Sequence, residues 1–388
     1  MIERAIVVGG GIGGLGAAVA LRGCGIEAAV FERDAADSER ATAGTGITLW
    51  SNATRVLAEL GLLEEVLAVG SPLESFENRN SHGRSIARWP IGDMGRRIGF
   101  PSISISRSML HRVLRDAVGD RVTYGAEYQR VDADVSGVTA HFGDGRNEPG
   151  DILVGADGLR SRVRETVLPE TGPRYAGYLV FRGLVSSNVP VPAGIFVQMW
   201  GRGARFGYYR IAADETYWFA VLNAAPDEHV EPDSWKQLLL DTFGRWAGPV
   251  PDLIGAAAPG SISRSRIYDR DPALPWCRGR VTLLGDAIHP MTFNVGQGAC
   301  QAIEDAATLA RTLRGHDDPV AALRDYESQR HSRTRVLTLR ARRIGNLGQL
   351  DAAAACALRD VVLRPLLSGP ARRQQELVLA NGARFLDG

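Results

Sequence analysis

The feature that most constrains the fold is a glycine-rich segment close to the start of the chain. An apolar, β-prone run at residues 5–8 leads into Gly9, Gly11 and Gly14, which form a G-x-G-x-x-G pattern. A helix of small residues follows, and a second apolar strand then ends at Glu32. This order of strand, glycines, helix, strand and acid predicts a Rossmann-like βαβ unit that binds a dinucleotide. A glycine turn without a ligand is the alternative, and the motif alone does not separate FAD from NAD(P).

Each part of this segment has a physical role in dinucleotide binding. Gly9 permits a tight turn, Gly11 lets the backbone approach a pyrophosphate, and Gly14 packs the helix against the sheet. The start of the helix offers free N–H groups and a partial positive charge to the phosphates. The Glu32 carboxylate can accept hydrogen bonds from an adenosine ribose.

Composition argues against several other classes of protein. The chain has 388 residues, which suggests about two domains and allows a large core. Lys and Arg number 45 and Asp and Glu number 44, so no basic excess favours nucleic acid. The four cysteines are widely spaced, no signal peptide is recognised, and no apolar run reaches the roughly 18–20 residues of a membrane span. These features predict a cytoplasmic protein with reduced thiols that binds neither nucleic acid nor membrane.

A second segment places an acid and a glycine directly after a buried strand. The apolar run at residues 151–156 leads into Asp157-Gly158, and Arg164 follows about two helical turns later. A local surface ion pair between Asp157 and Arg164, worth little energetically, is the alternative to a ligand-binding role.

A third segment repeats this arrangement and adds glycines. The strand at residues 280–284 ends in Gly285-Asp286, and a loop with Gly296, Gln297 and Gly298 opens a helix. The glycines allow a flat ring to approach the backbone closely. A helix-capping role is the alternative for Asp286.

The middle of the chain is rich in aromatic residues with a strand-like pattern. Residues 177–225 contain aromatic strands separated by turn residues, which predicts a mostly antiparallel sheet in its own domain.

Arg107 lies in the first turn of a predicted helix, where a cation opposes the helix dipole. An anionic or polyhydroxy ligand would explain it, and a solvated surface arginine is the alternative. Residues 346–388 are predicted to be helical and to pack outside the core.

Together, the three segments resemble the para-hydroxybenzoate hydroxylase family of single-component FAD monooxygenases. The runs IEAAVFERD, GTGITLWSNA, SRSMLHRVL and GQGACQAIEDA are typical of that family. The resemblance covers most of residues 1–345. It implies an α/β fold with a Rossmann-like FAD-binding domain, an inserted, mainly antiparallel substrate domain and C-terminal helices. The implied boundaries are 1–72, 101–174 and 275–345 for the FAD-binding domain, 73–100 and 175–274 for the substrate domain, and 346–388 for the helical segment.

The resemblance also implies an activity. Enzymes of this family hold FAD non-covalently, consume NADH or NADPH, and hydroxylate an aromatic or heteroaromatic molecule with O2 through a flavin C4a-hydroperoxide. The sequence has no second G-x-G-x-x-G, so the nicotinamide nucleotide is expected to bind transiently as a co-substrate. A monomer or homodimer is expected. The open alternatives are a related FAD enzyme that performs epoxidation or dehydrogenation, a non-catalytic flavin-binding protein, and an NAD-only dehydrogenase.

The expected cofactor contacts extend over all three segments. Asp286 is placed to hydrogen-bond a ribityl hydroxyl. Backbone N–H groups of the 296–298 loop are expected to face the pyrimidine edge of the isoalloxazine ring, whose reduced form carries negative charge. The full set of expected cofactor-binding residues is Gly9, Gly11, Gly13, Gly14, Glu32, Arg33, Gly46, Arg107, Asp157, Asp286, Gly296, Gln297 and Gly298.

Three residues of the aromatic sheet are predicted to contact substrate: Arg182, Arg205 and Tyr217. An arginine on a sheet that faces a cavity suits an anionic or enolisable ring. Phe293 stands where the family usually has a proline, a change that can alter substrate shape or peroxide protonation. His289 has no partner at metal-ligand spacing, so no metal site is expected.

Overall fold

The computed structural model describes residues 2–36, 45–186, 189–258 and 260–382. The strands, in chain order, are β1 (Arg4–Val8), β2 (Glu27–Glu32), β3 (Gly46–Leu49), β4 (Ser71–Pro72), β5 (Ser75–Asn80), β6 (Ser85–Trp89), β7 (Ile103–Ser106), β8 (Val122–Tyr124), β9 (Tyr128–Ala133), β10 (Val138–Phe142), β11 (Asn147–Gly150), β12 (Ile152–Gly155), β13 (Arg174–Ser186), β14 (Ile195–Trp200), β15 (Ala204–Arg210), β16 (Glu215–Asn223), β17 (Ser263–Asp269), β18 (Cys277–Arg278) and β19 (Val281–Leu283). The α-helices are α1 (Ile12–Gly23), α2 (Ser51–Glu59), α3 (Leu63–Val69), α4 (Ile91–Ile98), α5 (Arg107–Val118), α6 (Val163–Val167), α7 (Trp235–Phe243), α8 (Val250–Ala256), α9 (Gly298–Gly315), α10 (Pro319–Gly348), α11 (Ala353–Ser368) and α12 (Pro370–Ala380).

A six-stranded sheet carries the three glycine-and-acid segments. Its order is β18-β19-β12-β1-β2-β8, and every neighbouring pair except β18–β19 is parallel. Strands β1, β12 and β19 are apolar and almost wholly buried, as strands covered on both faces must be. Since parallel strands end at one edge, the segments that follow these three strands meet there, at the edge where open α/β sheets bind ligands.

A seven-stranded sheet faces that edge. Its order is β17-β13-β16-β15-β14-β5-β6, and all pairs are antiparallel except β14–β5. Strands from residues 75–89 and 174–269 therefore share one sheet, as an inserted substrate domain requires. This confirms the predicted fold class, while the numbered domain boundaries stay a prediction. Two further sheets of three strands each, β11-β10-β9 and β3-β7-β4, flank these.

Alternation along the strands of the seven-stranded sheet separates two apolar layers. In β16, Trp218 and Ala220 pack with residues of α7 and α8 in one cluster. Tyr217, Phe219 and Val221 belong to a second cluster on the opposite face. Successive strand residues point to opposite sides of the sheet. Phe293, which follows β19, packs against this second cluster, so this face lies toward the six-stranded sheet.

Helices α11 and α12 agree with the predicted C-terminal helices, but part of this segment is not peripheral. Leu379 of α12 is fully buried in the main hydrophobic core. The prediction that this tail packs outside the core is therefore wrong for α12.

All four cysteines are free thiols. Among the described residues, no helix combines the length and apolar character needed to cross a membrane.

Candidate functional site

A cavity of about 730 Å³ lies between the two large sheets. Its walls include Gly11 from the first glycine-and-acid segment, Gly158 from the second, and Asp286 and Gly298 from the third. Residues that lie almost 300 positions apart in the sequence thus converge on one space, which we call the central cavity.

The first glycine loop owes its shape to close backbone contacts. Gly9 has φ +109°, a conformation that side chains disfavour. A Cβ on Gly14 would overlap the Gly9 carbonyl oxygen, and one on Gly13 would lie 2.8 Å from the Leu284 side chain. A Cβ on Gly11, by contrast, would meet no atom within 4 Å. Gly9, Gly13 and Gly14 are therefore needed by the fold, whereas Gly11 leaves space for a ligand.

Glu32 is the last residue of β2, and Arg33 follows it directly. Glu32 accepts hydrogen bonds from the backbone N–H of Gly10 (2.7 Å) and of Asp34 (2.9 Å). Arg33 is exposed, with Nε 3.7 Å from the Asp34 carboxylate. Neither side chain lines the central cavity, and their contacts with ribose and adenine stay predictions.

The second segment folds back on its own chain. Asp157 accepts hydrogen bonds from the Ser161 hydroxyl (2.5 Å) and from the backbone N–H of Arg162 (2.7 Å). Burial raises the pKa of the Asp157 carboxyl, and these hydrogen bonds oppose the rise. Gly158, rather than Asp157, faces the central cavity.

Arg164 does not form the surface ion pair considered from the sequence. It is 4 % exposed, and its Nη1 donates to the carbonyl oxygens of Ala287 and Ile288, both at 3.1 Å. Arg164 therefore joins the second segment to the third. Burial, together with the nearby charge of Arg270, lowers the pKa of its guanidinium to about 10.

Asp286 and Arg107 line the central cavity together. Asp286 reaches into the cavity, so water has access to it although protein surrounds it. Desolvation by the surrounding protein raises the pKa of the Asp286 carboxyl, while His289 and Arg107 oppose the rise. Burial lowers the pKa of Arg107, which Asp286 in turn opposes. The pair supplies a hydrogen-bond acceptor and a cation to a polyhydroxy, phosphorylated ligand.

The loop before α9 differs in detail from the prediction. The Gly296 N–H donates to the Phe293 carbonyl at 2.9 Å, so it is not available to a ligand. The Gly296 carbonyl accepts from Trp50 Nε1 at 2.9 Å, and the Gln297 side chain points into the protein toward Asn52. The N–H groups of the first turn of α9 remain, since helix geometry leaves them without partners inside the helix. A Cβ on Gly298 would stand in open space.

Behind this loop lies a buried polar network that the sequence analysis missed. Arg330 donates to Glu304 and Asp305, both at 2.6 Å, and all three side chains are at most 2 % exposed. Asp305 also accepts from His289 Nε2 (2.5 Å) and from the Gly285 N–H (3.0 Å). The remaining members of the network are Asn52, Gln297, Gln301 and Arg333. The network thus anchors the two loops of the third segment, one at Gly285 and the other at Gln297.

Acid is expected to weaken this network between about pH 4 and pH 2. Burial alone would raise the pKa of Asp305, but His289 and Arg330 outweigh it and lower the pKa to about 2. An unfolded aspartate has a pKa of about 3.9, so the stabilisation is complete above that pH and is lost as pH falls through the native value. Urea unfolding from pH 5 to pH 2 should show a decline about 2 kcal/mol smaller for Asp305→Asn than for the natural chain. Equal declines would contradict this assignment.

Of the predicted substrate contacts, Arg182 and Tyr217 line the central cavity. Arg182 Nη1 donates to the Ser265 hydroxyl at 3.1 Å. A Cβ on Gly46 would lie 2.6 Å from the Tyr217 ring, so this glycine makes room for the tyrosine. Gly46 itself also lines the cavity.

Arg205 lies one layer further back. It is fully buried, its Nε donates to Gln349 at 2.8 Å, and its guanidinium stacks over the rings of Tyr178 and Phe293. Burial lowers its pKa to about 10. Phe293 lines the cavity, whereas Arg205 does not. Arg205 is therefore placed to support Phe293, and a direct contact with substrate stays a prediction.

The cavity fits a flavin dinucleotide on the cofactor side. Missing side chains at Gly11, Gly158 and Gly298 leave open space along one wall, and each would be filled by a Cβ. Arg107 and the start of α9 supply positive charge, and Asp286 supplies an acceptor. Both the shape and the donor set agree with FAD.

Comparisons with known proteins agree with this geometry. A family model described as FAD binding domain matches residues 3–341. The aurachin C monooxygenase/isomerase of Stigmatella aurantiaca is 40% identical over 94% of this chain and 94% of its own length. The 3-amino-4-hydroxybenzoate 2-monooxygenase of Streptomyces cremeus is 38% identical over 94% and 93%. The crystal structure of Klebsiella pneumoniae HpxO with FAD and uric acid superimposes with a TM-score of 0.91, at 33% identity, over 98% of this chain and 97% of that one.

Proposed function

The chain belongs to the FAD-binding family whose model matches residues 3–341, and from this premise we propose that it hydroxylates a small aromatic or heteroaromatic molecule as an FAD-dependent monooxygenase. FAD is its cofactor, and the resemblance to single-component FAD monooxygenases predicted from the three segments is confirmed. The observation that carries the proposal is the convergence of these segments on a cavity whose opposite wall is aromatic.

When bound, FAD supplies reduction by a nicotinamide nucleotide and the activation of molecular oxygen. The chain's own residues bind FAD, orient the substrate and exclude water. Asp286 accepts hydrogen bonds from the ribityl chain, and the first turn of α9 stabilises negative charge on the ring. Phe196, Phe219 and Phe293 cover the substrate side with apolar surface. An active site closed to water loses less of its activated oxygen to side reactions.

Several parts of the proposal rest on the sequence alone. We infer that NADH or NADPH binds transiently, because the chain has no second dinucleotide motif. O2 is the expected oxidant. The monomeric or homodimeric state and the cytoplasmic location stay predictions.

The function is tested by nucleotide consumption and by isotope labelling. The FAD-loaded protein should oxidise NADH or NADPH faster with an accepted phenol, aromatic acid or purine than without one. The product should contain one atom from ¹⁸O₂, which separates hydroxylation from dehydrogenation. A lack of stimulation across the panel would instead favour a flavin-binding protein without turnover.

Asp286→Ala is expected to weaken FAD binding about 10- to 100-fold. The change removes an acceptor for ribityl hydroxyls, and hydrogen bonds to a charged group contribute about 1.5–3 kcal/mol. The dissociation constant for FAD, measured by flavin fluorescence, reports the loss. Asp317→Ala, at an exposed position, is the matched control. Full FAD retention by Asp286→Ala would remove this residue from the cofactor site.

A further inference from the structure

One row of residues crosses the cavity face of the seven-stranded sheet. Strand register places Asn78 beside Gln198, Gln198 beside Gly207, and Gly207 beside Phe219. A Cβ on Gly207 would overlap the Phe219 ring, so the missing side chain lets this ring lie across the sheet. Arg182 pairs with Phe219 and ends the row. The row therefore runs from two carboxamides, past the Phe219 ring, to a guanidinium whose strand lies about 19 Å away across the sheet.

The carboxamide end of the row contains buried polar side chains that line the cavity. Asn78, Gln198, Trp200 and Gln375, which we call the amide cluster, all line the central cavity. Their side chains are only 3 %, 5 %, 3 % and 5 % exposed. Asn78 Oδ1 and Trp200 Nε1 are wholly buried and have no hydrogen-bond partner among the described residues.

The chain brings these four groups together from separate elements. Asn78 and Gln198 are adjacent in register, and Trp200 lies two residues further along β14 on the same face. Gln375 enters from α12, which contacts α4, the helix directly after β6. A buried polar group without a partner destabilises the protein. One acceptor and one donor without partners, together with the cavity-lining carboxamides of Gln198 and Gln375, therefore indicate a site that a polar ligand completes.

The cluster is neutral, and this limits the ligand. Carboxamides offer both donors and acceptors, whereas the Trp200 indole offers only a donor. A carboxylate or phosphate would instead be drawn to Arg340, a half-buried cavity residue whose Nη1 is buried without a partner in the described part of the chain, or to Arg182. A ring edge that carries N–H beside C=O matches the amide cluster, because it also presents one donor and one acceptor.

Resting on the proposed function, we propose that the amide cluster recognises the amide-like edge of a heteroaromatic substrate. The plane of the substrate packs on Phe219, and its N–H and C=O groups hydrogen-bond the cluster. The protein is therefore selective for rings of the lactam type over carbocyclic phenols of equal size. Asn78, Gln198, Trp200 and Gln375 are the residues that determine this selectivity.

Ligand binding to the FAD-loaded protein tests the proposal without turnover. The two probes are quinolin-2(1H)-one, which has the amide-like edge, and 2-naphthol, a carbocycle of the same size. Dissociation constants come from the difference spectrum of the flavin or from tryptophan fluorescence. We expect quinolinone to bind at least tenfold more tightly than naphthol.

Gln198→Met removes the carboxamide with little change in side-chain length. It should weaken quinolinone binding about tenfold and leave naphthol binding unchanged, and Asn78→Leu should act in the same direction. Met199→Leu is the control, because Met199 lies next to Gln198 but packs with α7 and α8 on the other face of the sheet.

Three results would overturn the proposal: equal affinities for the two probes, no binding of either, or an equal loss for both in Gln198→Met. Since the readout is binding, it is independent of the test of the proposed function. A protein that discriminates the probes but never shows ring-stimulated NAD(P)H oxidation would refute the monooxygenase activity and not the recognition site.

Discussion

Replacing Arg330 with methionine is expected to lower the free energy of unfolding by about 3–5 kcal/mol, the range measured when one partner of a buried ion pair is removed. The substitution leaves the carboxylates of Glu304 and Asp305 without their main counter-charge, and both are fully buried. Arg333 still pairs with Glu304, and His289 still pairs with Asp305, so some compensation persists. Urea unfolding of the FAD-free protein at pH 7 measures the loss.

The control for this variant lies on the same helix. Arg335→Met removes an arginine from an exposed position of α10 and should change stability by less than about 0.5 kcal/mol. A loss below about 1 kcal/mol for Arg330→Met would show that the network is not what holds α9 and α10 together.

Gly11→Val is expected to separate cofactor binding from folding. Gly11 has φ −75°, which valine adopts readily, and a Cβ there meets no atom within 4 Å. The FAD-free protein should therefore lose less than about 1 kcal/mol, since valine only replaces glycine as the N-cap of α1. FAD affinity should fall about 100-fold or more, because the side chain takes the space where a pyrophosphate approaches the backbone.

Isothermal titration with FAD and urea unfolding of the FAD-free protein give the two quantities. Gly172→Val is the matched control, since Gly172 also has open space around it but lies on an exposed loop outside the three glycine-and-acid segments. A Gly11→Val variant that binds FAD normally would remove the first glycine loop from the cofactor site. A variant that fails to fold would show that Gly11 is needed for the backbone conformation of the loop instead.

The cofactor side of the site was predictable from sequence because its signals are local. A strand, a glycine and an acid within a few residues dictate a turn at a known edge of a parallel sheet, as Gly9 and Asp286 show. The aromatic sheet was predictable from its alternation. These patterns depend on backbone geometry, which neighbouring residues determine.

Side-chain partners were less predictable, because they come from distant parts of the chain. Arg330 and Arg333 of α10 meet Glu304 of α9 inside the protein, although nothing in the residues next to them indicates this partner. Strand alternation puts Arg205 on the cavity face, yet Gln349 and the close approach of Gly348 at the end of α10 cover it. Asn78 and Gln198 share a row only because β5 and β14 pair across more than 100 residues. No local pattern carries this information.

The central claim is that three distant segments bind one FAD without a covalent bond. It is tested most directly by titrating the FAD-free protein with FAD and then releasing the flavin by denaturation. We predict a yellow complex with one FAD per chain, all of it recovered in solution after unfolding. A protein that stays colourless after reconstitution, or flavin that remains attached to the unfolded chain, would contradict the account.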